Sequence, residues 1–129
     1  MIFIKHNQLI FNKIASYTEG VKQQTMRISK KILFSQLKEK VKAIDPAAEI
    51  ILFGSRARNE AKEDSDWDFL ILSTLPITNE LRQLVLRNIL DLELESEQTI
   101  SVLIRAKNDW DSFKVTPLYK NIAREGIAI

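Results

Sequence analysis

From Ile28 to Ile44 the apolar positions are Ile28, Ile32, Leu33, Leu37, Val41 and Ile44, with Lys and Glu between them. Steps of three and four residues place such positions on one helical face. Asp45-Pro46 ends the pattern, because a residue preceding proline avoids the α region. EIILF (49–53) is short and nearly all apolar, which predicts a buried strand. Gly54-Ser55 breaks it, and RARNEAK (56–62) has the composition of a short helix. WDFLIL (67–72) predicts a second strand. Thr78 is placed to cap a helix over 79–95, with Leu81, Leu84, Val85, Ile89 and Leu92 on one face. Leu86, Leu90 and Leu94 widen that stripe. TISVLI (99–104) is β-branched and apolar and predicts a third strand. Asn108 and Thr116 are candidate caps for two short helices, Pro117 fits a first helical position, and Gly126 is a C-terminal stop.

Helix, strand, short helix, strand, long helix, strand, helix, helix is an α/β (α+β) order. It implies a small mixed sheet of about three to four strands packed with helices. Residues 1–25 follow no sustained period, and Met26 offers an alternative start. The expectation is a peripheral leader over 1–25 and one compact domain over 26–129.

Composition narrows the chemistry. A chain of 129 residues suits a single domain with its own core. It has no cysteine and one histidine, His6, which excludes disulfides, thiolate metal sites, a His-based triad and multi-His zinc. Lys5, Lys13 and Lys22 against Glu19 account for the whole net charge of +2, so the body is neutral. A neutral body argues against direct nucleic-acid binding, which needs clustered positive charge. No apolar run approaches the ~18 residues of a membrane span, and the N-terminus lacks the layout of a signal peptide. The expected location is cytoplasmic.

The stretch GSRARNEAKEDSDWDFLIL (54–72) carries the candidate chemistry. Glycine lets a backbone turn sharply and approach a ligand closely. A helix starting at Ser55 would offer free N–H groups to phosphate. Residues i and i+2 of a strand share a face, so Asp66 and Asp68 would stand side by side with Trp67 opposite. A hard cation such as Mg²⁺ relieves the repulsion of such a pair, taking one or two carboxylates together with substrate phosphates. Arg56 and Arg58 are candidate phosphate contacts. A calcium loop starting at Asp64 is rejected, because its required glycine and glutamate positions hold Phe69 and Leu75. A phosphate cradle ending one strand and a metal pair beginning the next would suit phosphoryl or nucleotidyl transfer.

This stretch resembles the signature of the minimal nucleotidyltransferases of the DNA polymerase β-like superfamily: Gly-Ser, ten residues, then Asp-x-Asp entering an apolar strand. Element order extends the resemblance from about Met26 to the C-terminus. It implies the nucleotidyltransferase fold and places Gly54, Ser55, Arg56 and Ser65 at a nucleoside triphosphate, with ATP expected. It assigns Asp66 and Asp68 to Mg²⁺ and to catalysis. The implied reaction moves a nucleoside monophosphate to an acceptor hydroxyl, with pyrophosphate leaving. Stand-alone domains of this kind are similar to the antitoxin half of toxin–antitoxin pairs, which implies a HEPN-domain protein partner.

One position departs from the family pattern. Many active members carry a third carboxylate on the following strand, and the aligned residue here is Ser101. A serine brings no negative charge to a metal, and its hydroxyl is a poor base. Glu95, Glu97, Asp109 and Asp111 are the nearby acids in the sequence; Glu97 is the candidate substitute, and the two aspartates read as first-turn charges of a short helix. The alternative to an enzyme is therefore a family member impaired in catalysis, acting as an antitoxin-like protein-binding module or a nucleotide-binding subunit. Trp110, Phe113, Leu118 and Tyr119 could face such a partner, although their spacing fits core packing.

Overall fold

The computed structural model describes residues 29–129. The leader over 1–25, Met26 and Ile28 lie outside the described residues. The elements are α1 (Lys30–Ile44), β1 (Glu49–Phe53), β2 (Trp67–Ser73), α2 (Asn79–Ser96), β3 (Ile100–Ala106), a 3₁₀ helix (Lys107–Phe113), α3 (Pro117–Glu125) and β4 (Ile127–Ala128). The strands form one mixed sheet in the order β3-β2-β1-β4. β1 runs antiparallel to β2 and β4, and β2 runs parallel to β3.

Strand alternation builds two cores. Ile50, Leu52, Trp67, Phe69, Ile71, Ile100, Val102 and Ile104 face α1 and α2. Phe53, Leu70, Leu72 and Leu103 face the other way, against Trp110 and Ile122 with Phe113, Leu118 and Tyr119 around them. Cover on both faces explains why the strands read as almost unbroken apolar runs. It also answers the aromatic question: the C-terminal aromatics pack the second core.

Leu33, Leu37 and Val41 are the buried line of α1, and Leu81, Val85, Ile89 and Leu92 that of α2. Ile32 is 49% exposed and Leu84 is 42% exposed, so neither joins its predicted face. Each sits one residue, about 100° of helical turn, away from the buried line. RARNEAK forms no helix; Ser55–Asn59 are turns. The Glu60 N–H bonds the Ser55 carbonyl, and Asn59 takes φ 58°, both of which close a loop. Ser29, Thr78 and Thr116 cap α1, α2 and α3 by accepting from Ile32, Leu81 and Tyr119 N–H. Asn108 caps nothing, because the 3₁₀ helix already begins at Lys107.

Asp45 joins α1 to the end of β2. Its backbone is extended before Pro46, and its N–H bonds the Val41 carbonyl. Its carboxylate accepts from Ser73 Oγ (2.9 Å), Thr74 N–H (2.7 Å), Thr74 Oγ1 (2.7 Å) and Ala47 N–H (3.2 Å). Burial pushes this carboxyl up, and the bonds from Thr74, Ser73 and Ala47 outweigh it, so its pKa lies below the usual value. Asp45→Ala strands those donors and should cost about 2 kcal/mol in denaturant unfolding at pH 7. The folded pKa is the lower one, so the contribution is full above the ordinary aspartate pKa and is lost as pH falls through the folded value. The gap between wild type and Asp45→Ala should therefore narrow in acid.

Candidate functional site

The β1–β2 register sets Phe53 opposite Asp68, which brings the next residue, Gly54, against the second aspartate. Gly54 has φ +77°, and a Cβ there would stand 2.4 Å from Asp68 Oδ2. Conformation and space both demand glycine. The two predicted half-sites thus meet at one end of the sheet. Asp68 shares its face with Leu70 and Leu72, while Trp67 points into the other core, as strand alternation requires. Asp66 lies just before β2, beside the point where Trp67 N–H donates to the Thr99 carbonyl.

The connecting loop is braced from within. Arg56 lays its guanidinium 4.4 Å from the Trp67 ring centre. It donates to the Ser65 carbonyl (2.8 and 3.3 Å) and to the Glu63 carbonyl (3.1 Å). Ser65 Oγ accepts the Lys62 N–H at 2.8 Å. Arg56 and Ser65, both predicted nucleotide contacts, are here the residues that shape the loop carrying Asp66. Trp67 is held by Gln98 Oε1, which accepts its Nε1–H at 3.0 Å, and by Phe34 packed edge-on. Arg58 pairs with Glu60 and Glu125, each at 2.9 Å. Turns stand in place of the predicted helix at Ser55, so the Gly54-Ser55 turn does not open a helix.

The parallel β2–β3 register places Ser101 directly beside Asp68. Ser101 is 3% exposed, and its Oγ is buried without a hydrogen-bond partner. Of the other candidate acids, Asp109 and Asp111 stand at the opposite end of β3. β3 carries the chain away from this end, so Asp109 and Asp111 follow Ala106, which lies beside Ser73. There Asp109 accepts from Ser112 Oγ and Asp111 from the Tyr119 hydroxyl. Glu97 is the exposed, left-handed cap of α2, and Glu95 is exposed on that helix.

Glu93 is the acid that pattern reading missed. It is 0% exposed and accepts the Ile100 N–H through Oε2 at 3.3 Å. Burial pushes its pKa to about 8; the Ile100 bond opposes this, and the Asp66 charge adds to it. The sequence signal was a glutamate one turn beyond Ile89, on the buried line of α2.

A profile of the nucleotidyltransferase domain matches residues 34–129, from within α1 to the C-terminus. The chain belongs to this nucleotidyltransferase family. No curated protein matches it at a significant level. Nucleotidyltransferase domains generally use a divalent metal and a nucleoside triphosphate. The residues present fit such a group: Asp68 stands at a turn where even a methyl would collide with it, Asp66 lies two residues earlier at the head of β2, and a buried hydroxyl lies alongside Asp68. Among the described residues, no cluster of three or more acids or histidines is placed to hold a metal. Asp66 and Asp68 are the carboxylates that could hold a metal here. Among the described residues, no helix is long and apolar enough to cross a membrane.

Glu93 makes stability fall with rising pH. An unfolded glutamate loses its proton near 4.5, while the folded one keeps it to about 8. Between those values the unfolded state binds fewer protons, so stability declines as pH rises. Glu93→Gln removes this loss and retains an acceptor for Ile100. Its melting temperature should match wild type near pH 4 and exceed it by about 4 °C or more at pH 8.

Proposed function

We propose that this domain binds Mg²⁺ with a nucleoside triphosphate, ATP by expectation, and transfers the nucleoside monophosphate to a hydroxyl on a partner protein. The observation that carries this reading is the contact of the two half-sites: the Gly54 turn abuts Asp68 with no room for a Cβ. A carboxylate able to hold a metal, adjoining a turn whose first residue has no side chain, suits an α-phosphate in transfer. Asp66 and Asp68 would hold the cation, with Gly54 and Ser55 facing the triphosphate. When bound, the cation supplies charge neutralisation on the phosphates. The acceptor oxygen forms a bond to the α-phosphorus, the bond from that phosphorus to the bridging oxygen breaks, and pyrophosphate carries the electron pair away. Ser101 beside Asp68 is a poor recipient for the hydroxyl proton, so the base comes from the acceptor's side or from solvent.

The domain proper would be residues 26–129, working in the cytoplasm. The partner would be a HEPN-domain protein, as the resemblance to stand-alone minimal nucleotidyltransferases implies. A second reading rests on one observation, Ser101 in the place of a third acid. In it the fold neutralises a partner by contact, or lends nucleotide binding to a larger enzyme, without transfer.

Labelled ATP, Mg²⁺ and the co-expressed partner separate the two. Transfer of label to the partner, abolished by Asp66→Ala/Asp68→Ala, is the expected result. Partner binding that survives this double substitution, with no transfer by wild type, would establish the contact module. Ser101→Asp places a third charge beside Asp68 and should tighten Mg²⁺ binding by about tenfold in calorimetry. Unchanged affinity would show that position 101 does not reach the metal.

A further inference from the structure

Gly54 is held on its other side by a residue from the far end of the chain. Its N–H points away from β2, towards β4, and donates to Glu125 Oε1 at 3.2 Å. Glu125 Oε2 accepts from Arg58 Nη1 at 2.9 Å. One carboxylate, with its side chain 10% exposed, thus ties the first residue of the Gly54-Ser55 turn to the fifth. Burial pushes the Glu125 carboxyl up; the bonds from Arg58 and Gly54 outweigh this, so it stays ionised in the ordinary range.

The surrounding backbone accounts for its place. β4 pairs Ile127 with Leu52 and Ala128 with Ile51, and continuing that register sets Gly54 opposite Glu125. Glu125 is the last residue of α3, so its own carbonyl is not in a strand and cannot serve the ladder. Its side chain takes that role. Gly126 lets the helix end come this close, since a Cβ there would meet Ile122 O at 2.5 Å and Ile51 Cγ2 at 2.7 Å. β4 then anchors the position, with Ile129 N–H bonded to the Ile50 carbonyl at 3.0 Å.

We infer that Glu125 is a positioning residue for the nucleotide turn: its carboxylate holds Gly54 and Arg58 in the one arrangement that keeps the Gly54-Ser55 turn against Asp68. The inference rests on the nucleotide-binding reading above. It adds the C-terminal helix and β4 to the parts on which affinity depends. An exposed loop with Gly at its head would otherwise sample many turns, and each would have to be frozen on binding. Glu125 meets that cost in folding instead.

Two measurements on the full chain test this. Hydrogen exchange without nucleotide reads the turn itself. Glu125→Ala should lose protection at the Gly54 amide, with the amides inside β2 and β3 unchanged. Glu125→Gln should retain most of it, because the amide oxygen still accepts. Mg²⁺–ATP titration reads the consequence. Glu125→Ala should weaken binding by about tenfold, the worth of one charged hydrogen bond, and Glu125→Gln should recover most of that loss. Lys120→Ala, an exposed cation of the same helix that is not among the groups acting on Glu125, should change neither. Equal Gly54 protection in all variants would overturn the inference. So would unchanged or tighter ATP binding in Glu125→Ala, and tighter binding would mark the carboxylate as a competitor for phosphate. Failure of wild type to bind ATP would remove the functional reading, while Gly54 exchange would still decide whether Glu125 sets the turn.

Discussion

Gly54 turns at φ +77° with its missing Cβ aimed at Asp68, and this close approach depends on strand register. A slip of one residue between β1 and β2 would move every side chain of one strand to the other face and separate turn from carboxylate. The register is protected because each face packs its own core, so a slip would exchange the side chains of the two cores and carry Asp68 into the one under α1 and α2. The hydrophobic cores therefore do more than stabilise the domain. They hold a glycine and an aspartate from different strands within contact distance.

Around that contact, carboxylates are arranged in three states. Asp66 and Asp68 stand half-buried at the start of β2. Glu125 is ionised and tied to Arg58 and Gly54. Glu93 is buried with a pKa raised to about 8, which leaves it mostly neutral at pH 7. Burial disfavours the charged form of a carboxyl, and here it outweighs the Ile100 bond that favours it. Keeping Glu93 neutral also spares Asp66 a second full negative charge nearby. The same end of the sheet has a hydroxyl at Ser101 where a further carboxylate would add charge.

Much of this was legible beforehand, and for identifiable reasons. Buried lines at Leu33, Leu37, Val41 and at Leu81, Val85, Ile89, Leu92 follow from helical period alone. Gly54-Ser55 and Asp66-Trp67-Asp68 were visible because chemistry of this kind needs those residue types at strand ends. Ser101 was alignable with the third acid, and β2–β3 pairing puts it beside Asp68. Local composition misled at RARNEAK, where side-chain bonds from Arg56 and the left-handed Asn59 close a loop too short to nucleate a helix. Glu93 sits on the buried line of α2, one turn beyond Ile89, but glutamate is so seldom buried that its residue type argued for a solvent-facing place.

By itself, the sequence determined the main helices, the first three strands and the residue types at their ends. These follow from spacing and composition, which act over a few residues. Tertiary structure alone decided which of those residues meet. Gly54 lies against Asp68, Ser101 beside it, and Glu125 reaches across from the other end of the domain. The physical reason is that each of these contacts is a consequence of strand order and register. Both are set by the packing of the whole sheet, so no local stretch encodes them.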